Sequence, residues 1–344
     1  MAKYLDKPTE RVDVSSDMTL DALVGSFSGA SFQARNLYRC VEVYRRMLQD
    51  QHAVIFLGLA GAMVPAGMRK IIADLIRRHY IDVLVSTGAN LFHDFFEAIG
   101  YRHYMGSPFA DDTELRRQRV DRIYDTFASD KELAQAENKI AEIASEFDQR
   151  TCSSREFLEH MGAAIDDDES ILCTAQKQGV PIFCPALCDS AIGIALTHHY
   201  VASNGDSPLV INQIRDNFEI LQIKRRAAAT GALYIGGGVP KNYIQQLTPM
   251  LTAFGIHQGV GHKYFVQLTT DDPKFGGLSG CTAGEAESWG KVTTDGIAAM
   301  AFVDATIGLP LLAGAVLTDN SDQPDRANRV FHWEGDKLQQ ITIE

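Results

Sequence analysis

The chain lacks the short fingerprints that usually reveal a nucleotide enzyme. Its 344 residues contain neither GxGxxG nor GxxxxGK[ST], so an ordinary dinucleotide loop and a P-loop are both excluded. Six cysteines (Cys40, Cys152, Cys173, Cys184, Cys188 and Cys281) form no CxxC pair. Cys184 and Cys188 flank Pro185 with no second ligand pair nearby, so the six read as reduced core thiols and no metal site is expected. Basic residues are in deficit, 32 against 44 acidic for a net charge of −12, which argues against nucleic acid as an unaided partner. Met1 to Asp13 holds no apolar core segment, so no signal peptide is expected. Gly296 to Leu317 is apolar and of spanning length, but Asp304 and Pro310 interrupt it. It reads as a buried strand followed by a helix, not a membrane span. With no Gly/Ser-rich linker and no internal repeat, the expectation is a soluble, cytoplasmic single domain over 1–344.

What is present is an alternation of short apolar runs with longer helical patterns. Strands are expected at Ala53–Leu59, Val83–Ser86, Pro181–Cys184, Ala232–Ile235, Tyr264–Thr269 and Ala299–Val303. Several are apolar on both faces, as a parallel sheet covered by helices requires. Helices are expected at Ala66–Tyr80, Asn90–Ile99, Asn212–Thr230 and Lys241–Phe254. That order predicts an α/β fold, a doubly wound and mainly parallel sheet with helices on both faces. A highly charged stretch, Glu114 to Gln149 within a peripheral segment of about 112–150, reads as one or two outer helices. Asp166-Asp167-Asp168-Glu169 reads as the acidic first turn of a helix running to Gln178.

Ligands of open α/β sheets bind beyond the carboxyl ends of the strands, and small residues gather there. One strand runs into Gly58-Leu59-Ala60-Gly61-Ala62 and a second into Thr87-Gly88-Ala89-Asn90. A third ends in Gly236-Gly237-Gly238-Val239-Pro240-Lys241, where Pro240 suits a first helical turn. Such loops let backbone N–H groups approach a phosphate, so a nucleotide or dinucleotide site is expected. Further along, Glu285-Ala286-Glu287-Ser288-Trp289-Gly290-Lys291 sets a lysine in small, weakly charged surroundings. Burial there would disfavour the ammonium form, and a neutral amine is what an imine-forming lysine needs.

Together, Thr87-Gly88-Ala89, Pro185-Ala186-Leu187-Cys188-Asp189, Gly236 to Lys241 and Glu285 to Lys291 resemble the deoxyhypusine synthase family, in order, from about Asp21 to about Leu312. The resemblance implies an aminoalkyl (aminobutyl) transferase that uses NAD without net redox change. Hydride leaves the carbon beside the secondary amine of spermidine, a lysine captures the imine, and diaminopropane departs. The acceptor, a lysine of translation factor 5A or a small amine giving a homospermidine-type product, then displaces the enzyme and is reduced. Lys291 matches the covalent lysine, while Glu285 and Trp289 match residues that line a polyamine channel. Gly61, Ala62, Thr87, Gly88, Ala89, Asp189, Gly237, Gly238, Thr270, Asp304 and Ala305 match positions that contact NAD. Asp189 also suits an N-cap. Family members are tetramers, so a homo-oligomer is expected.

The chain departs from the family pattern where donor and acceptor are recognised. Lys241-Asn242-Tyr243 replaces Lys-His-His, and Asn242 cannot act as a base, though it can hydrogen-bond a substrate amine. Ile194 and Leu278 stand where two aspartates bind the polyamine, with Glu287 as an extra acid, while Phe92-His93 replaces an acidic position of the cofactor loop. His93, His257 and His262 are the candidate replacement bases. The alternative reading is a non-catalytic NAD-binding protein that kept the fold, which Asn242 favours. Cleavage of NAD ranks lower, because it gives Lys291 no task.

Overall fold

The structure is a computed structural model that describes residues 5, 7–147, 150–205, 209–256, 261–318 and 326–344. The main strands are β1 (Ala53–Leu59), β2 (Val83–Ser86), β3 (Ile182–Phe183), β4 (Ala229–Ile235), β5 (His262–Thr269) and β6 (Val292–Phe302). The longer helices up to the middle of the chain are α1 (Phe32–Gln49), α2 (Arg69–Arg77), α3 (Gly88–Ala98), α4 (Asp130–Ser145) and α5 (Ser154–Ala163). After them come α6 (Ile171–Gln178), α7 (Ala191–Ala202), α8 (Gln213–Arg226), α9 (Gly238–Ala253), α10 (Ala283–Ser288) and α11 (Ala305–Leu317). The class is α/β, with mostly parallel strands linked by helical crossovers, as the alternating pattern predicts.

The chain divides into two compact units. In the first, residues 1–58 and 227–327, neighbouring strands run in the order β6-β5-β4-β1. β5 pairs in parallel with both β4 and β6, and every residue of β1 is buried. α1 buries Leu37, Cys40, Val41, Tyr44, Met47 and Leu48, the stripe of an amphipathic helix on a core. The apolar stretch before Leu317 is β6 followed by α11, and no helix of the described residues is long and apolar enough to cross a membrane.

The second unit comprises residues 59–226 and 328–344. Within it β2 pairs with β3 in parallel, Leu84 opposite Ile182 and Val85 opposite Phe183. A terminal hairpin, Arg329–Glu334 with Lys337–Ile343, was not anticipated from the sequence. It is fastened by Gln222, whose Nε2 donates to the Asp336 carbonyl at 2.7 Å while its Oε1 accepts from Leu338 N at 3.1 Å. The Arg155 guanidinium lies 4.3 Å from the Trp333 ring centroid in the same hairpin.

Four expected elements are corrected. The charged segment after residue 112 is not purely helical: a short helix (Asp112–Gln118) and a hairpin (Val120–Ile123 with Thr126–Ser129) precede α4. Its charges pair around the hairpin, Arg119 with Asp130 at 2.7 Å and Arg122 with Asp112 of the short helix at 2.7 Å, contacts 11 and 10 residues apart that one continuous helix could not make. The helix expected from Asn212 stops at Arg226, and Ala229-Thr230-Gly231 already belongs to β4, where small residues let Met47 of α1 pack close. The helix expected over Ala66–Tyr80 is present as α2, but it begins only at Arg69, after a π-turn over Val64–Met68, and stops at Arg77. Finally, the acidic run 166–169 lies ahead of α6, whose N-cap is Ser170.

A carboxylate does serve the first turn of α6, but it comes from another helix. Asp94 of α3, fully buried, accepts from Ser170 Oγ at 2.8 Å, Ile171 N at 2.9 Å and Leu172 N at 2.8 Å. It also accepts from Arg69 Nε at 2.7 Å. The acidic run is spent on ion pairs: Asp167 with Arg69 at 2.8 Å, Asp166 and Asp168 with Lys177 at 3.0 and 2.9 Å. The helix-terminus reading was physically apt, since an anion does meet the exposed N–H groups, but long-range packing supplies it.

Candidate active site

Lys291 owes its position to the way α10 ends. Thr282 caps the start of α10, its hydroxyl accepting from Glu285 N at 3.1 Å. At the other end Gly290 N donates to the Glu287 carbonyl at 2.8 Å and Lys291 N to the Ala286 carbonyl at 2.9 Å. These two bonds are a Schellman termination, with Gly290 in the left-handed position at φ 67°. Lys291 is therefore the first residue after the left-handed turn, and its own carbonyl accepts from His262 N at 2.8 Å as the chain enters β6. The side chain is 9% exposed, with Nζ 5.2 Å from the Trp289 ring centroid, while Trp289 itself is exposed.

Gly290→Ala is expected to destabilise the protein by about 1–2 kcal/mol, the cost of a left-handed L-residue. No atom lies within 4 Å of where the new Cβ would stand, so the penalty is conformational and not steric. Urea denaturation measures it, and a loss below a few tenths of a kcal/mol would mean the turn does not fix Lys291.

A second amine lies nearby in charge terms. Lys241, in the first turn of α9, is 1% exposed and donates to Gln267 Oε1 at 2.7 Å and the Cys281 carbonyl at 2.6 Å. Burial pushes it down to about 8, and the positive charge of Lys291 acts in the same direction. Gln267 of β5 in turn donates to the Gly236 carbonyl at 2.8 Å and the Ser279 carbonyl at 2.7 Å, while Gly238 N donates to Ser279 Oγ at 2.9 Å. Lys241 and Gln267 thus tie the glycine loop to the segment leading into α10. The motif Gly236 to Lys241 marked Lys241 in the sequence, but Gln267, Ser279 and Cys281 carried no signal, because their roles depend on strand register.

Gly237, Gly238, Thr270, Asp304 and Ala305 follow the carboxyl ends of β4, β5 and β6. The strands are in register there, Leu268 opposite Ile235 and Thr269 opposite Phe302, so the three loops leave the same edge. Gly238 opens α9 with no atom within 4 Å of a notional Cβ, leaving room for a group against the helix N-terminus. Asp304 caps α11, its Oδ1 accepting from Thr306 N at 2.8 Å and Thr306 Oγ1 at 2.5 Å. Glu285, Glu287 and Asn242 complete this unit's predicted residues, both glutamates being exposed.

The remaining residues expected to contact a cofactor belong to the other unit. Thr87 is the N-cap of α3, and Asn90 joins that helix start to the preceding loop. Asn90, fully buried, donates from Nδ2 to the Gly61 carbonyl at 2.9 Å and accepts at Oδ1 from Val64 N at 3.2 Å. Gly61 and Ala62 are thereby brought beside Thr87, Gly88 and Ala89. Gly88 packs against Ser190, which belongs to the Asp189 loop. Ser190, and not Asp189, is the N-cap residue of α7, so the capping reading of Asp189 is corrected and its carboxylate is exposed. Asn90 is the residue the sequence reading missed as a clamp; it was legible only as the opening of a helix.

Of the candidate bases, His262 is fully buried, edge-on to Phe56 at 5.9 Å between ring centroids, which removes it from solvent-borne substrate. His257 lies outside the described residues. His93 is half-buried on α3. Of the cysteines, Cys40 and Cys152 are pushed up to about 12 by burial, as core thiols would be, whereas Cys188 is exposed, unlike the core position expected for it. Ile194 in one unit and Leu278 in the other are each about half exposed, at 48% and 50%.

A family model described as deoxyhypusine synthase matches residues 22–316. A Methanosarcina acetivorans protein named "Probable deoxyhypusine synthase 2" is 46% identical over 336 residues, covering 96% of each chain. The namesake from Archaeoglobus fulgidus is 48% identical over 83% of this chain and 94% of its own. A "Deoxyhypusine synthase-like protein" of Coxiella burnetii is 42% identical over 90% of this chain and 89% of its own. Among solved structures, one from Entamoeba histolytica assigned as a deoxyhypusine synthase superposes with a TM-score of 0.62 at 16% identity, over 92% of this chain and 99% of that one, a likeness of fold.

Proposed function

Because this chain belongs to the deoxyhypusine synthase family, we propose that it is an aminoalkyl transferase working through an imine on Lys291, with NAD as its cofactor and a polyamine as donor. The observation that carries the reading is the placement of Lys291: buried, at the end of a Schellman turn, with its amine beside the exposed Trp289 ring.

The residues do the following. Lys291 Nζ, as the free amine, adds to the carbon of the oxidised donor; the bond from that carbon to the departing amine breaks, and the aminoalkyl group stays on the enzyme as an imine. The acceptor amine then adds to the same carbon and Lys291 Nζ leaves, restoring the free lysine. Trp289 offers a ring face to a cationic amine and Glu285 a carboxylate to an ammonium. Asn242 offers an amide to a substrate nitrogen. NAD, when bound, supplies the acceptor and later the donor of hydride. Gly237, Gly238, Thr270, Asp304 and Ala305 are the residues assigned to hold it, as are Gly61, Ala62, Thr87, Gly88, Ala89 and Asp189. The space beside Gly238 at the start of α9 would admit a phosphate, and Asp304 keeps Oδ2 for a ribose hydroxyl.

Ile194 and Leu278, standing where the family pattern has acids, support a small or altered amine as donor or acceptor, because neither offers a carboxylate to a far ammonium. The active assembly is a homo-oligomer on this reading, a tetramer as in the family.

Intact-protein mass spectrometry with NAD and borohydride, offering spermidine, putrescine or agmatine in turn, tests the reading. An adduct at Lys291 is expected, its mass identifying the group transferred. Product analysis with and without translation factor 5A then separates a protein lysine from a small acceptor. NAD binding without an adduct for any amine would establish the non-catalytic alternative.

A further inference from the structure

Gln267 sits in the apolar second half of β5, where an amide is costly to bury unless its groups are bonded. It is fully buried on a strand flanked by β4 and β6, opposite Tyr234 and Met300. Its partners fix which way the amide points. An ammonium only donates, so Oε1 is the atom that faces Lys241 Nζ, at 2.7 Å. Carbonyls only accept, so the Nε2 hydrogens go to those of Gly236 and Ser279, at 2.8 and 2.7 Å.

These partners stand on three segments of the first unit. Gly236 begins the loop of Gly237 and Gly238, the residues assigned to the cofactor. Lys241 lies in the first turn of α9, beside Asn242. Ser279 begins the turn that reaches Thr282, the N-cap of α10. The segments touch again around the amide. A Cβ on Gly237 would stand 2.4 Å from Ser279 Cα, Gly238 N donates to Ser279 Oγ at 2.9 Å, and Lys241 Nζ donates to the Cys281 carbonyl at 2.6 Å. α10 is six residues long and closes directly onto Lys291, so a shift of this turn carries Glu285, Trp289 and Lys291 with it. The charge of Lys291 is felt at Lys241, which puts the nucleophile close to the same cluster.

We infer that Gln267 is a positioning residue of the transfer reaction: its amide holds the glycine loop and the Ser279–Cys281 turn at one separation, so that cofactor and Lys291 address the same donor carbon. The inference rests on the transferase reading above and deepens it. Hydride leaves that carbon toward the cofactor and Lys291 Nζ adds to it next, so one carbon must lie within reach of both. An apolar side chain of equal volume would fill the space and deprive two carbonyls and an amine of this partner. What the amide adds to the fold is a fixed geometry. Glu285 and Trp289 move with Lys291, so loss of the link is read in the chemical step and not in amine affinity.

The full-length protein is assayed with NAD and spermidine, putrescine or agmatine, and the borohydride-trapped adduct at Lys291 is followed through a single turnover. Gln267→Met is expected to slow adduct formation about 100-fold at saturating NAD and amine, with the amine KM within about threefold. Its affinity for NAD should fall about tenfold. Met47→Ala, a truncation of α1 where it packs on β4, is the control for stability alone. Partial unfolding lowers the amount of adduct and leaves its rate constant unchanged, which is the result expected for Met47→Ala. Gln267→Glu keeps an acceptor for Lys241 and removes both donors. It should slow the adduct as Gln267→Met does, and it decides the matter where Gln267→Met does not fold. An adduct rate constant within about threefold of wild type in the Gln267 variant, or an equal slowing in Met47→Ala, would overturn the positioning role and leave the transferase reading standing. A wild-type protein that forms no adduct with any amine would overturn both.

Discussion

Lys291→Arg is expected to lower aminoalkyl transfer by roughly a thousand-fold or more while the protein keeps its fold and its affinity for NAD. Arginine preserves length and positive charge, so the contact with the Trp289 ring 5.2 Å away can be retained. It cannot become a neutral amine in a protein, so no imine forms. The comparison therefore separates charge from nucleophilicity at one position. Borohydride should trap the aminoalkyl group on the wild type and none on the variant. Retained turnover in Lys291→Arg would end the covalent reading. Lys241→Met provides the contrast, because its buried amine is bonded to Gln267 and Cys281 and holds the loops together. Its loss should loosen the loop and still leave an adduct at Lys291.

The second large effect concerns stability. Asp94→Ala is expected to cost about 3–5 kcal/mol, the range for removing one partner of a buried ion pair. Arg69, 6% exposed, would lose its fully buried partner, and Ser170 Oγ, Ile171 N and Leu172 N would lose the acceptor at the start of α6. Urea denaturation of the single variants and of Arg69→Met/Asp94→Ala measures the coupling. The double variant should be more stable than the sum of the single losses predicts, by at least about 1 kcal/mol, because a guanidinium left with only the part-exposed Asp167 and the more distant Glu97 keeps a burial cost that its fully buried partner had offset. Additive losses would show that Asp94 acts through α6 alone.

The parallel strands were legible because burial on both faces leaves a one-dimensional trace. Ala53–Leu59 and Val83–Ser86 are observed at the expected bounds, since an apolar run flanked by small residues has few other uses. The charged stretch after residue 112 was misread because Arg119 pairs with Asp130 and Arg122 with Asp112, contacts 11 and 10 residues apart that depend on the hairpin and leave no local pattern. The capping of α6 was misread for a related reason. Local acids were present, but the anion at its N-terminus is Asp94, 76 residues before Ser170.

By itself the sequence determined the α/β class, the family and the lysine segment, because apolar periodicity, glycines before helices and a contiguous motif are all local properties of the chain. Only the tertiary structure decided which side chains meet. Lys241 with Gln267, Asn90 with Gly61, and Glu97 with His103 and His93 are bonds fixed by strand register, helix rotation and loop closure. Hydrogen bonds act over about 3 Å, and no one-dimensional pattern specifies a contact at that range between residues that folding alone brings together.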